Sequence, residues 1–256
     1  MAMIVHQFLC LSDNYGVLIH DPETGATAAI DAPESAPILA ALAERGWDLT
    51  HILLTHHHAD HIQGVPDLKA KFPKAIIVGP AKERERIPGM DILVKEGDEA
   101  KVGALAATVI ETPGHTTGHI AYDFGKERVC FAGDTLFSLG CGRVFETPYP
   151  VMWESLSKLA KLPADTQVYC GHEYTEANGR FAATIETDNA ALKARIAEVA
   201  KLRAAGRPTV PTTLAEELKT NPFLRAAEPS VAAAVGMAGA EPDAVFTEIR
   251  RRKDKF

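Results

Sequence analysis

The sequence predicts an α/β (α+β) fold in two parts, a mixed domain over residues 1–175 and a small all-helical C-terminal domain over residues 176–256. Three observations carry that prediction. Short apolar runs separated by turn residues fill the first 110 residues, with one amphipathic helix among them. Strand signals stop at Tyr174, after which apolar residues recur at helical spacing. The charge also changes sign there. Residues 1–175 carry 14 basic and 23 acidic side chains and residues 176–256 carry 13 and 11, so a −9 body joins a +2 tail within a total of −7.

Strands are expected over 4–11, 15–20, 26–30, 51–55, 75–78, 92–94 and 105–110. Between the third and fourth, Pro33 suits a first helical position, Ile38, Leu39 and Leu42 form an apolar stripe, and Gly46 stops the helix. Further strands follow over 119–124, 128–132 and 167–170, with a helix over 151–162 ended by Pro163. In the tail, Leu192, Ile196 and Val199 share one helical face. Thr213 with Glu216 fits a capping box, and Pro242 opens a last helix with a basic end.

Composition narrows the class. With 46% hydrophobic and 24% charged residues the chain is an ordinary folded protein rather than a disordered or coiled-coil one. The net negative charge opposes a nucleic-acid partner. Cys10, Cys130, Cys141 and Cys170 show no CxxC spacing, so buried free thiols are expected. Neither a basic leader nor 18 consecutive apolar residues occurs, which predicts a cytoplasmic protein without a membrane partner, taken as a monomer.

The chemistry concentrates in Thr55-His56-His57-His58-Ala59-Asp60-His61, directly after an apolar run. Strand alternation sends His56 and His58 to one side and His57 to the other, and Asp60 with His61 follows as the chain turns into a helix. Three later segments share a syntax of apolar strand, small residue and ligand, ending in His115, Asp134 and His172. Open sheets commonly place sites at such strand ends. His119 reads as a packed or supporting histidine, and His6, His20, His51 and His57 as structural. Seven ligands exceed one tetrahedral ion and suit two divalent ions, zinc ahead of iron or manganese. Asp134 is the natural bridge, with His56, His58 and His115 on one ion and Asp60, His61 and His172 on the other. Water activated by two such ions makes hydrolysis the reaction class, with Asp60 and Asp134 orienting the nucleophile.

With these residues on view, the chain resembles the metallo-β-lactamase superfamily, whose His-x-His-x-Asp-His motif and later His, Asp and His ligands it carries. Within it, the match is to the hydroxyacylglutathione hydrolase (glyoxalase II) family. Asp13-Asn14-Tyr15, Gly140-Cys141-Gly142-Arg143, Gly171 to Thr175, Asn221-Pro222-Phe223-Leu224-Arg225 and Arg250 to Asp254 extend it over nearly the whole chain. The resemblance implies an αββα sandwich with a helical tail. It also implies hydrolysis of S-lactoylglutathione to glutathione and D-lactate by a metal-bridging hydroxide, the second step of methylglyoxal detoxification. By similarity, Arg143, Tyr174, Arg250 and Lys253 bind the glutathione part.

Two departures stand out. Phe145 occupies a position where many family members have Tyr, and Glu146-Thr147-Pro148 lacks a glycine often found there. The alternatives are a mononuclear-iron glutathione persulfide dioxygenase, another binuclear hydrolase such as a phosphodiesterase, and a metal-binding module without activity.

Overall fold

A computed structural model describes residues 2–256 of the chain. The chain divides into two compact units. The first runs up to Glu111 and adds Thr117–Gly133, and the second comprises Thr112–Thr116 and Asp134–Phe256.

In the first unit β1 (Ile4–Cys10), β2 (Asn14–His20), β3 (Thr27–Ile30), β4 (His51–Leu53), β5 (Ile76–Pro80) and β6 (Ile92–Val94) form a sheet in sequence order. The first three pair antiparallel and the last four parallel. Parallel pairing needs crossovers, and α1 (Ser35–Arg45), α2 (Ala59–Ile62) and α3 (Val65–Lys71) lie along them. Ile38, Ala41 and Leu42 of α1 and Val65 and Leu68 of α3 join Leu18, Ile52 and Ile77 in one core. Gly46 closes α1 in the left-handed region at φ +66°, as its sequence position predicts. Pro33 does not start α1. The helix begins at Ser35 with Glu34 as N-cap, because Ala32 N donates to His61 O and keeps the chain extended beyond Asp31.

A second, antiparallel run places β7 (Glu99–Val102), β8 (Leu105–Glu111), β9 (Ile120–Phe124) and β10 (Val129–Gly133) side by side. It faces the first sheet: the buried Tyr122 hydroxyl donates to Leu54 O at 2.8 Å. The strand β7 has no counterpart in the sequence reading. Its Glu99 and Lys101 alternate outward with buried Ala100 and Val102, the signature of an edge strand too short and too charged to stand out.

In the second unit β11 (Leu136–Phe137) and β12 (Gly140–Cys141) make a small hairpin, followed by α4 (Tyr149–Leu159) and β13 (Gln167–Cys170). Helix α4 starts two residues before the expected position, with Pro150 in its first turn. The tail is helical: α5 (Thr175–Ile185), α6 (Ala190–Ala204), α7 (Leu214–Thr220), α8 (Pro229–Ala234) and α9 (Pro242–Lys255). One two-residue strand, β14 (Thr212–Thr213), interrupts it and pairs with β13. Leu192 and Val199 are buried, with Ile196 packed beside Leu192, and Thr213 Oγ1 accepts from Glu216 N as the capping pattern predicts. All four cysteines are free and buried. Among the described residues no helix is long and apolar enough to cross a membrane.

The Tyr122 bond fixes the strand end from which the histidine row departs. Tyr122→Phe should lower unfolding free energy in urea by about 1–2 kcal/mol, the cost of a buried carbonyl losing its partner.

Candidate metal centre

Of the predicted ligands, His56, His58, Asp60 and His61 lie in the first unit, and His115, Asp134 and His172 in the second. In the first, β4 ends at Leu53 and the next two residues stay extended, with Leu54 N donating to Val78 O. Thr55 N and Oγ1 both donate to Asp31, at 2.7 and 2.8 Å. Since Thr55 Oγ1 is then left as an acceptor, it receives His56 Nδ1–H at 3.0 Å, and His56 Nε2 lies 3.2 Å from His58 Nδ1. Asp31 Oδ2 also takes His61 Nδ1 at 2.8 Å. Asp31, His56 and His61 hold their donor atoms within 4.8 Å of one another. Asn14 Nδ2 donates to Asp60 O and Oδ2, fixing the acid beside His61, whose Nε2 is 3.8 Å from Asp60 Oδ2.

His57 points the other way, as alternation predicts, with Nδ1 2.9 Å from the buried Glu83 carboxylate. His119 is buried with its ring 4.8 Å from that of His56. His6, His20 and His51 bond to Arg45, Thr27 and Thr50.

In the second unit a buried triad forms. His115 Nε2 and His172 Nε2 lie 3.4 and 3.3 Å from the same oxygen, Asp134 Oδ2. His115 Nδ1 donates to Arg143 O at 2.8 Å, which assigns its tautomer and leaves Nε2 as the donor atom. The ring of Tyr174 stacks on that of His172 at 4.6 Å, and Phe137 meets the same ring edge-on at 6.0 Å. Gly133, immediately before Asp134, has φ +49°, and a Cβ there would come 2.7 Å from His119 Nε2 and 2.8 Å from Thr55 Oγ1. The small residue before the ligand is therefore a steric requirement.

The donor spacings fit divalent metal. Two donors about 2.0–2.1 Å from one tetrahedral ion lie roughly 3.3–3.4 Å apart, close to the His115–Asp134, His172–Asp134 and His56–His58 separations. One carboxylate oxygen shared by two imidazoles is also what a bridging ligand requires.

The residues expected to bind the anionic tripeptide differ among themselves. Arg143 is exposed, Tyr174 is 36% exposed and Lys253 is half-buried with Nζ 3.3 Å from Ala177 O. Arg250 is 2% exposed: it donates to Cys141 O at 3.0 Å, pairs with Asp254 Oδ1 and lies over the Phe223 ring at 5.1 Å. Phe145, 60% exposed, sets its ring 5.3 Å from that of His115.

Sequence reasoning missed Asp31, Glu83 and Asn14 as supports. Asp31 had a signal, since it follows the apolar run Thr27–Ile30 and so ends a strand in a carboxylate. Glu83 had none, being one acid in a charged stretch.

Residues 13–172 match the family model described as metallo-beta-lactamase superfamily, and residues 173–256 match hydroxyacylglutathione hydrolase C-terminus. The chain is similar to the hydroxyacylglutathione hydrolase of Rhodopseudomonas palustris (strain BisA53), 60% identical over 100% of both chains. It is 57% identical to that of Nitrobacter hamburgensis, again over 100% of both. Among solved structures it is similar to ETHE1 from Myxococcus xanthus, with TM-score 0.70, 29% identity and 97% of this chain and 90% of that one covered. A di-iron-bound form of TTHA1623 shares the fold, with TM-score 0.62, 23% identity and coverage of 86% and 100%.

Asp31 holds both Thr55 and His61. Asp31→Asn should weaken zinc binding roughly 10- to 100-fold, the usual cost of losing a ligand's hydrogen-bond partner, measured by chelator competition.

Proposed function

The chain belongs to the hydroxyacylglutathione hydrolase family of the metallo-β-lactamase superfamily, and from that membership we propose how its residues divide the work. It is a metal-dependent hydrolase of S-(2-hydroxyacyl)glutathione thioesters. The substrate proposed is S-lactoylglutathione, released as glutathione and D-lactate in the second step of methylglyoxal detoxification. The observation that carries this reading is the match of residues 173–256 to the hydroxyacylglutathione hydrolase C-terminus, joined to a ligand-bearing domain matched over residues 13–172.

His56, His58 and His115 are proposed to hold one divalent ion and Asp60, His61 and His172 a second, with Asp134 shared. Zinc comes first, and iron or manganese also suits the donor set. Bound ions would supply Lewis-acid chemistry, making water nucleophilic at neutral pH and polarising the thioester carbonyl. The chain's own part is orientation. Asp60, held by Asn14, and Asp134, lying between two imidazoles, accept hydrogen bonds from the attacking water and aim it at the carbonyl carbon. The leaving group is a thiolate whose conjugate acid has a pKa of about 8.5, low enough for it to depart without a protonating side chain.

Arg143, Tyr174 and Lys253 are proposed as contacts to the glutathione part, with Arg250 supporting them from beneath through Cys141 O and Asp254. Phe145 offers a ring face beside His115 in place of a hydroxyl. The reading is completed by a cytoplasmic monomer with no nucleic-acid or membrane partner.

Burial, reinforced by the nearby Arg250 and Arg180 charges, lowers Lys253 to about 8. Its positive charge is therefore complete near pH 6 and lost as pH rises through 8. KM for S-lactoylglutathione should rise between pH 7 and 9 with a smaller change in kcat, and Lys253→Arg should flatten that rise. At pH 7, Lys253→Ala should raise KM roughly tenfold, the scale of one charge-assisted hydrogen bond. His58→Ala should lower thiol release by roughly a hundredfold or more. Unchanged turnover in that variant would overturn the metal mechanism.

A further inference from the structure

The Asn221-Pro222-Phe223-Leu224-Arg225 segment and the acid one helical turn before it have no part in the chemistry described above. Their structural position gives them one. Glu217 lies within α7, is 0% exposed and accepts four hydrogen bonds: Ser138 Oγ at 3.0 Å, Leu139 N at 2.8 Å, Thr212 Oγ1 at 2.8 Å and Asn221 Nδ2 at 2.9 Å. Asn221 Nδ2 also reaches Phe137 O at 3.2 Å and Gly140 O at 2.9 Å. Every residue of the turn joining β11 to β12 is thus tied to one tail helix.

That turn needs tying. Leu139 sits at φ +58°, a conformation a leucine does not hold without support. Its side chain packs against Ala182, Leu192 and Ile196, and Asn178 Nδ2 holds Ser138 O at 3.1 Å.

Two contacts to proposed ligands hang from the turn. On its first side Phe137 sets its ring edge-on to His172 and, at 5.4 Å, to Tyr174. On its second side the chain leaves β12 through Gly142, where a Cβ would meet Asp134 O. The next carbonyl, Arg143 O, accepts His115 Nδ1. A shift of the turn moves a neighbour of one imidazole and the acceptor that sets the tautomer of another.

We propose that Glu217 and Asn221 are positioning residues for the reaction, locking the Phe137–Gly140 turn and through it the orientation of His172 and the donor state of His115. The tail then has a second task besides holding glutathione. The proposal rests on the ligand roles read above for those two histidines.

Asn221→Ala frees both turn carbonyls while leaving Glu217 three of its donors. In the folded variant the visible absorption bands of the cobalt-loaded protein should shift, zinc affinity should fall about tenfold, and kcat should fall about tenfold with KM within twofold. A folded Asn221→Ala with an unaltered cobalt spectrum and zinc affinity overturns the proposal, as does a change confined to KM. Glu217→Gln, which turns an amide NH2 toward hydrogen-bond donors, decides by the same readouts if Asn221→Ala does not fold.

Wild-type protein supplies a test independent of any variant. Coupling is reciprocal, so zinc should slow deuterium exchange at Leu139 N more than at Leu192 N, the capped amide of α6. Equal slowing at both overturns the proposal. A wild-type protein that binds zinc but leaves the thioester intact would instead overturn the thioesterase reading, with the spectral and exchange readouts still deciding this one.

Discussion

The structure depends on one constraint: a buried imidazole that is to ligate through one nitrogen must have the other satisfied by protein. An imidazole with both nitrogens unsatisfied in an apolar interior is costly, and one with the wrong tautomer presents a proton where a lone pair is needed. Three of the proposed ligands meet the constraint in the same way by different means. His56 donates to a threonine hydroxyl, His61 to a carboxylate and His115 to a backbone carbonyl. The hydroxyl and the carboxylate belong to one linked set, because Asp31 receives Thr55 twice and His61 once. Asp31 has φ +55° and its own N–H donates to Leu53 O, so the sheet holds the acid that holds the histidines. Parallel pairing of β3 with β4 is what brings Asp31 alongside Thr55.

This explains which parts were legible in the sequence. The proposed ligands stood out in the sequence because their chemistry is local: imidazoles and carboxylates at strand ends are too polar for that setting unless they have a task. The glycine before Asp134 was readable as a small residue, and its reason emerges only in three dimensions, where His119 and Thr55 close on the missing Cβ. Supports were mostly unreadable, because a carboxylate such as Glu83 or Glu217 acquires meaning from partners far away in sequence. Glu83 lies 35 residues from Gly118 and Glu217 78 from Leu139. Among the elements, amphipathic α1 and the buried strands announced themselves. The start of α1 did not, since a backbone bond from Ala32 to His61 outweighed the local preference of Pro33.

The tail shows why charge counted along the sequence differs from charge available to a ligand. Six residues near its end carry five basic side chains, which reads as a patch for an anion. In the structure Arg250 is buried and paired with Asp254, and Arg252 is paired with Glu248. Their role is largely internal: Arg250 fastens α9 to β12 through Cys141 O, and Arg252 fastens it to Val235 O. Lys253 is different. Among the described residues it has no carboxylate partner, it is half-buried over the rings of Phe181 and Phe256, and its burial, with the charges of Arg250, Arg180 and Arg143, depresses its basicity. A cation in that condition gains more from an incoming carboxylate than a solvated surface lysine would, because the anion relieves both its desolvation and the repulsion of its neighbours. On the proposed reading, recognition of an anionic tripeptide comes down to a few cations that the fold leaves unneutralised, while the −9 charge of residues 1–175 repels anions elsewhere.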